Sequence, residues 1–312
     1  MYPVHLGAAN NVVLNNLTYL RDHYGASFSL VSKRGMTPLH HAALLHDAEA
    51  VSYLIEQEEQ QTLVSAPAPG YSATTADDPV DRTGWLPIHC AAADDTTTHR
   101  ASSFYDTLCA LIEHEEPFDC DINAESENGL NAAWIAARYN STTAHLTVLQ
   151  QRCANLRFSH YGHGSLLHAA AANGSVEVLS FLIQQGVAHD DAVPGRVTTI
   201  AGVTPLHVAA QHGRVAMVKR LLDLGAGVDV PDNFGATPLF SCLQAPPAAA
   251  LECMEILLSY GANPLHATNA HGGRSVPCKA CNTLMHACCQ HCAFLHQRGL
   301  VTSEPVVTTS TS

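Results

Sequence analysis

Charged residues are scarce in this sequence, and lysine is the scarcest of them. Charged side chains make up 14% of the 312 residues, where roughly 25% is typical of soluble domains, and the formal net charge is −13. The lysines are Lys33, Lys219 and Lys279. A chain this acidic, with its basic residues scattered singly, lacks the positive surface that holds a phosphate backbone or an anionic membrane. We therefore expect no nucleic acid and no membrane among its partners.

Long apolar runs are also missing. No stretch approaches the roughly 18 apolar residues that cross a bilayer, and the first residues show no basic segment followed by the apolar core of a secretory signal. The eleven cysteines are an odd number. We therefore expect a reducing compartment, the cytoplasm or the nucleus, in which the cysteines are free thiols or in part metal ligands.

What the sequence does contain is a short phrase that recurs along it. The phrase reads TPLHHAA from Thr37 and TPLHVAA from Thr204, and 33 residues separate Thr204 from the TPLF that begins at Thr237. Looser copies are LPIHCAA from Leu86, NAAWIAA from Asn131 and SLLHAAA from Ser165. A chain of this length forms either two domains or an array of repeats, and the recurrence favours repeats.

The phrase predicts a helical hairpin. Thr or Ser before Pro is an N-cap followed by the helical position that tolerates a missing N–H. The Leu and Ala residues that follow face one side of a short helix, which Gly174 or Gly213 ends. Later apolar pairs form a second, antiparallel helix, ended by Gly186 or Gly225. One hairpin cannot bury its own apolar face, so we expect the hairpins to stack on a shared core.

The phrase and its period resemble those of the ankyrin-repeat family over nearly the whole chain, from about residue 3 to residue 275. The resemblance implies an all-α solenoid of about seven helix–turn–helix repeats joined by finger loops. It also implies that the histidine at the fourth place of the phrase links neighbouring loops by hydrogen bonds. The structural repeat positions that follow from it are Thr37, His40, His89, His168, Thr204, His207 and Thr237.

The repeats predict a division of the chain into four parts. These are an N-terminal capping repeat at 1–33, repeats at 34–275, a Cys/His-rich segment at 276–302 and a disordered tail at 303–312. Insertions interrupt the repeats at 58–82, 94–103 and 188–200. These polar loops are either contact sites for a partner or surface loops that are tolerated without a role in binding. The sequence leaves both interpretations open.

The Cys/His-rich segment also has two interpretations. Cys278 and Cys281 form one C-x2-C pair, Cys289 and Cys292 form a second, and four thiolates so paired can hold a structural zinc ion. Alternatively, an apolar stripe predicts a capping helix, in which cysteine acts as a small hydrophobic residue. The members of the stripe are Cys278, Cys281, Met285, Cys288, Cys292 and Leu295. The segment is thus a helical cap or a small zinc module.

No arrangement in the sequence unites a nucleophile, a base and an oxyanion donor, so we expect no catalytic residues and no enzyme activity. The resemblance implies a scaffold that binds another protein through its finger loops and first-helix surface, and we expect it to be monomeric by itself. The acidic balance favours a partner surface of basic character. The alternative is a non-catalytic adaptor or subunit of a larger enzyme complex that docks through a zinc-binding C-terminal segment. We expect no cofactor apart from that zinc ion.

Aromatic residues near the fingers are the candidate partner contacts, because aromatic side chains dominate most protein interfaces. They are Trp85, Phe158, Tyr161 and Phe234. Trp85 and Phe234 flank the glycine that precedes the phrase, so packing between loops is the alternative role for both.

Overall fold

The computed structural model describes residues 3–9, 14–32, 36–56, 84–93, 104–112, 121–187, 199 and 201–263. The chain divides into two compact units, Met1–His160 and Tyr161–Ser312. Each unit is built from pairs of antiparallel helices, as the recurring phrase predicts. Within the part of the chain that the structure describes, no helix is both long and apolar enough to cross a membrane.

The described residues of the first unit form four helix pairs. Its elements are α1 (Pro3–Ala9), α2 (Leu14–Tyr24), α3 (Pro38–Leu44), α4 (Ala48–Glu56), α5 (Pro87–Ala92), α6 (Phe104–Ile112), α7 (Ala132–Tyr139), α8 (Ala144–Gln151) and a short strand, β1 (Ser159–His160). The first helices of the pairs pack side by side, α1 on α3, α3 on α5 and α5 on α7. The second helices form a parallel row, α2 on α4, α4 on α6 and α6 on α8. The core of this unit lies between the two rows.

The described residues of the second unit form three helix pairs arranged in the same way. Its elements are a short strand, β2 (Gly164–Ser165), and the helices α9 (Leu166–Asn173), α10 (Val176–Gln184), α11 (Pro205–Gln211), α12 (Val215–Asp223), α13 (Pro238–Ser241) and α14 (Pro247–Ser259). A 3₁₀ turn, Cys242–Gln244, follows α13 directly. Helix α11 packs between α9 and α13, and α12 packs between α10 and α14.

The first helices begin where the phrase predicts. Pro occupies the first position of α3, α5, α11 and α13, where a missing N–H costs nothing. At α7 the side chain of Asn131 caps the helix by accepting the N–H of Trp134 at 2.9 Å. Small side chains then let the rows approach closely, and four successive alanines of α9, residues 169–172, are all buried. Leucines supply the bulk of the core, and Leu39 and Leu206 have no exposed surface.

Three of the first helices, α3, α9 and α11, are followed by a residue in left-handed backbone. Gly174 follows α9 with φ 88°, and Gly213 follows α11 with φ 64°. At the same place after α3 stands His46, a non-glycine residue with φ 55°. Such a conformation costs a side-chain-bearing residue about 1 kcal/mol or more, so His46 must be held there by its contacts.

Candidate partner-binding surface at the fingers

Four of the described fingers end in the same backbone turn. The N–H of one residue donates to the carbonyl four residues later, from Ser32 to Met36 (2.8 Å), Ser126 to Leu130 (2.9 Å), Thr199 to Val203 (3.0 Å) and Asp232 to Ala236 (2.8 Å). The side-chain oxygen of the first residue accepts the N–H of the last, at 2.8–3.3 Å. The backbone of the turn is therefore fixed before any partner arrives.

The residue that opens this turn was not predicted from the sequence, although a signal for it is present. Ser, Thr or Asp stands three residues before the finger glycine in each of these turns, as Asp232 stands before Gly235. The glycine has positive φ, 77° at Gly235, which closes the turn without strain. Short polar side chains of this kind hydrogen-bond their own backbone in turns, so the spacing has a physical cause.

Four buried histidines each join the start of their own first helix to the finger that follows. The Nε2–H of His40 donates to the carbonyl of Trp85 at 2.9 Å, while Nδ1 accepts the backbone N–H of Thr37 at 3.3 Å. The same pair of contacts recurs at the other phrase histidines, whose Nε2 atoms donate at 2.9–3.0 Å: His89 to Ala124, His168 to Val203 and His207 to Ala236. We call this set the histidine ladder.

The ladder histidines are neutral at physiological pH. A backbone N–H points at Nδ1, so the ring proton must sit on Nε2. Burial lowers the pKa of His40, His89 and His168 to about 4, and it lowers that of His207 as well. Each ladder ring is neutral, and both of its nitrogens are hydrogen-bonded. Such a ring fixes the position of the fingers and has no proton to exchange with a substrate.

Trp85 is not an exposed contact, which corrects that part of the sequence prediction. Its side chain is 1% exposed. The residue directly precedes the N-cap Leu86, and its carbonyl is the one that His40 binds. This position is turned inward, and the Trp85 ring lies 6.0 Å from the Tyr139 ring, centroid to centroid.

Phe234 and Tyr161 lie on the surface of the second unit. Phe234 occupies the tip of its finger, two residues before the inward position, and is 57% exposed. Its N–H donates to Asp232 Oδ1 at 2.9 Å, which fixes the backbone beneath it. Tyr161 is 73% exposed. In the first unit Phe158 is half-buried. Contact of these three residues with a partner stays a prediction.

Replacing the finger glycine tests how tightly neighbouring fingers pack. At Gly202, with φ 74°, an added Cβ would lie 2.7 Å from Asn233 Oδ1 and 2.9 Å from the Asn233 backbone nitrogen. We expect Gly202→Ala to lower the free energy of unfolding by about 2–4 kcal/mol, from positive φ and overpacking together. Gly225→Ala is the matched control, because Gly225 has φ 86° and no atom within 4 Å of the added Cβ.

The glycine pair is compared by urea unfolding followed by circular dichroism. Gly225→Ala should cost about 1 kcal/mol, the penalty of the backbone conformation alone. Equal losses for the two variants would show that the fingers yield to the extra methyl group, and would contradict the rigid finger described above.

A second set of contacts lies at the far ends of the first helices. His46 Nε2 donates to the Ala91 carbonyl at 2.9 Å, and Asn140 Nδ2 donates to the Ala92 carbonyl at 3.2 Å. In the second unit Arg214 Nε donates to the Ala172 carbonyl at 2.9 Å. The last carbonyls of a helix lack partners within it, so these side chains satisfy groups that would otherwise be left unbonded.

His46 belongs to a buried aromatic cluster with Phe104 and His145. The ring centroids of Phe104 and His145 are 4.0 Å apart, and those of His46 and His145 are 5.4 Å apart. Neither ring nitrogen of His145 has a hydrogen-bond partner among the described residues. Burial, and secondarily the neighbouring His46, lower the pKa of His145 to about 3. This histidine therefore packs as a neutral ring.

Several predicted features fall outside the described residues. They include the insertions at 58–82 and 94–103, all of 188–200 except Thr199, the Cys/His-rich segment and the tail at 303–312. The predicted zinc ligands Cys278, Cys281, Cys289 and Cys292 are among them, so the zinc module and the helical cap both stay predictions. In the portion that is described, no group of three or more His, Cys, Asp or Glu side chains is placed to hold a metal ion.

Comparison with known proteins agrees with this geometry. A family model described as ankyrin repeats matches the chain in three copies, over residues 4–99, 98–193 and 167–268. The human protein "Transient receptor potential cation channel subfamily A member 1" is 26% identical over 197 residues, which cover 62% of this chain and 15% of the channel.

Two shorter matches point the same way. An ankyrin repeat protein of Rickettsia bellii (strain RML369-C) is 43% identical over 58 residues, 19% of this chain and 23% of that protein. A protein of Arabidopsis thaliana, XBAT31, whose name describes an E3 ubiquitin-protein ligase, is 37% identical over 73 residues, 23% of this chain and 15% of its own length. Each match thus spans less than a quarter of the curated relative.

Proposed function

Because this chain belongs to the ankyrin-repeat family, a general protein-interaction module, we propose that it is a scaffold that binds another protein through its finger tips and first-helix surface. The seven helix pairs among the described residues support an array of about seven repeats. The channel and ligase descriptions belong to the relatives, and nothing in the matched segments extends those activities to this chain.

One observation carries the proposal, the exposed aromatic side chain on a fixed finger. Phe234 is 57% exposed, and Asp232 beneath it accepts the N–H groups of Phe234 and Ala236. Binding a partner costs less when the contacting residue is already ordered, because little backbone entropy is lost. An aromatic ring presented in this way can fill a pocket on a partner as an interface anchor.

The charge of the chain favours a basic partner surface. The formal net charge is −13, and charges of opposite sign steer association and align the two surfaces. Asp229 and Asp232 both lie in the loop that carries Phe234. The Asp229 carboxylate accepts the backbone N–H of Asn263, and the Asp232 carboxylate accepts that of Ala236. Both carboxylates are therefore fixed in place, where they can face positive charge on a partner.

The proposal is tested by capture from native lysate at moderate salt with the tagged chain, followed by measurement of the affinity for the partner found. Phe234→Ser should weaken that affinity about tenfold or more, the effect of removing an interface anchor. The matched control is Tyr260→Ala, an aromatic that is 43% exposed and follows the last residue of α14. Equal affinity for Phe234→Ser and the intact chain would exclude the finger tip as the contact.

The same capture separates the scaffold from the adaptor alternative. A chain truncated after Pro277 retains the helix pairs and lacks the Cys/His-rich segment. If the truncated chain keeps the partner, recognition resides in the repeats. If it loses the partner while its helical circular dichroism is unchanged, the C-terminal segment is the docking element.

A further inference from the structure

Asp232 has a second carboxylate oxygen that the finger turn does not use. Its Oδ1 accepts the N–H of Phe234 at 2.9 Å and the N–H of Ala236 at 2.8 Å. No residue that the structure describes donates a hydrogen bond to its Oδ2. The two bonds to Oδ1 fix the position of the carboxylate, so Oδ2 is an ordered acceptor that carries negative charge.

The other described turns of this kind close without a carboxylate. They are opened by Ser32, Ser126 and Thr199, and in each of them the hydroxyl oxygen accepts the closing N–H. A hydroxyl is therefore sufficient for the turn, and the additional oxygen and charge of Asp232 are not needed to fold the finger. Binding residues often lie on loops that a rigid scaffold positions, and Asp232 lies on such a loop.

An exposed aromatic ring stands two residues after this carboxylate. Phe234 is 57% exposed, and its own N–H is one of the two that Asp232 accepts. The backbone that carries the ring is thus bonded to the side chain that carries the charge. One short turn therefore presents an aromatic ring and a carboxylate oxygen that are both in place before a partner arrives.

The part of the chain around this finger is uniformly acidic. Residues 221–273 contain no Lys or Arg, and their five acidic side chains give this segment a formal charge of −5. The acidic residues are Asp223, Asp229, Asp232, Glu252 and Glu255. A surface of one charge sign attracts a ligand of the opposite sign, so the chemistry that complements the finger is a cation.

Resting on the function proposed above, we propose that the Phe234 finger binds an arginine side chain of the partner protein. The guanidinium donates an N–H to Asp232 Oδ2, and its flat face lies over the Phe234 ring. Arginine suits this pair of groups, because a planar guanidinium can hydrogen-bond a carboxylate and stack on an aromatic ring. Lysine suits it less well, since its ammonium group is compact and strongly hydrated.

The test uses two short peptides as probes, acetyl-Gly-Arg-Gly-amide and the same peptide with lysine in place of arginine. Each is added to the full chain labelled with ¹⁵N, and TROSY NMR follows the backbone amides. We expect the arginine peptide to shift the amides of residues 233–236 with millimolar affinity, and the lysine peptide to bind about threefold more weakly or less still. The finger of Ser126, which has no aromatic residue at its tip, should show no preference for arginine.

Asp232→Ser separates the binding charge from the turn. Serine keeps an oxygen for the N–H of Ala236, as Ser126 does in its own finger, and removes both Oδ2 and the charge. We expect the affinity for the arginine peptide to fall about tenfold. If the serine variant is unfolded, Asp232→Asn takes its place, because an amide oxygen can still accept both N–H groups.

The matched control is Asp229→Asn. It removes one negative charge from the same loop and keeps an oxygen for the N–H of Asn263. Because exposed charges are largely screened in salt, we expect this variant to keep its affinity for the arginine peptide within about twofold.

Three outcomes would overturn the arginine site. They are equal shifts with the arginine and the lysine peptide, equal losses of affinity in the Asp232 and Asp229 variants, and no shift at residues 233–236. The first two would reduce the effect to a general attraction of positive charge. All three leave the scaffold proposal standing, because that proposal is judged by the partner captured from lysate and by Phe234→Ser.

Discussion

We expect mild acid to destabilise this protein strongly, with the loss beginning near pH 6.5 and approaching completion near pH 4. Four buried histidines carry this expectation, namely His40, His89, His145 and His168. Burial lowers their pKa from 6.5 to about 4, and to about 3 for His145. The neutral ring is the form that the fold accepts.

The sign of the effect follows from proton linkage. A histidine whose pKa is lower in the folded chain binds a proton more readily in the unfolded chain, so acid favours unfolding. The stabilising contribution of each ring is complete above pH 6.5 and falls as the pH drops toward the folded pKa. At about pH 5 each of the four rings lowers the free energy of unfolding by on the order of 2 kcal/mol. This loss is large, because the total free energy of unfolding of a domain is only about 5–15 kcal/mol.

The two units should differ in this response. Three of the four histidines, His40, His89 and His145, lie in the first unit, and His168 lies in the second. His207, with a lowered pKa of its own, adds to the second. We expect hydrogen exchange monitored by mass spectrometry to show the first unit losing protection at higher pH than the second.

His145→Leu is the variant that tests the cause. Neither ring nitrogen of His145 has a hydrogen-bond partner among the described residues, so leucine gives up no such bond. Near neutral pH we expect the free energy of unfolding of the variant to lie within about 1 kcal/mol of that of the original chain. The difference comes from the lost ring contact with Phe104. At about pH 5 it should be the more stable of the two by roughly 2 kcal/mol. An unchanged pH profile would show that His145 does not take up a proton on unfolding.

Local features of the fold could be predicted from the sequence because their causes lie within a few residues. Thr204 and His207 are three positions apart, and the N–H of Thr204 donates to the His207 ring at 3.1 Å. Pro205 fixes the start of the helix between them. A short phrase contains all of this information, so the helix starts followed from it.

Features that depend on how repeats stack could not be predicted in this way. His46, Phe104 and His145 come from three successive helix pairs and lie outside the phrase, so nothing local places their rings together. Helix α13 has only four residues and continues as a 3₁₀ turn toward α14. The phrase TPLF by itself predicts a longer helix, like those at the other copies.

The aromatic candidates show the same limit at single-residue scale. Trp85 follows its finger glycine and Phe234 precedes its own, and on sequence grounds both were equal candidates. The turn separates them: the position after the glycine supplies the carbonyl to the histidine ladder and faces inward, whereas the position before it forms the tip. Register within the turn, a three-dimensional property, decides which aromatic is exposed.

Removing one member of the histidine ladder should be among the most costly single changes in the second unit. Leucine at position 207 fits the volume of the ring but leaves the buried N–H of Thr204 and the carbonyl of Ala236 without the partners that His207 provides at 3.1 and 3.0 Å. Buried groups left unbonded cost about 1–3 kcal/mol each, so we expect His207→Leu to lower the free energy of unfolding by about 3 kcal/mol.

The matched control for this variant is His212→Leu in the same unit. The Nδ1 of His212 pairs with the Val208 carbonyl one turn earlier, so this contact joins no two fingers, and the side chain is only half-buried. We expect it to cost less than about 1 kcal/mol. Urea unfolding gives the two losses, and hydrogen exchange of the peptides around Thr204 and Ala236 locates them. If His207→Leu lowered the free energy of unfolding no more than the control does, the ladder histidines would contribute packing alone. Neutral rings that only fill space can be replaced by leucine without a change in the register of the fingers.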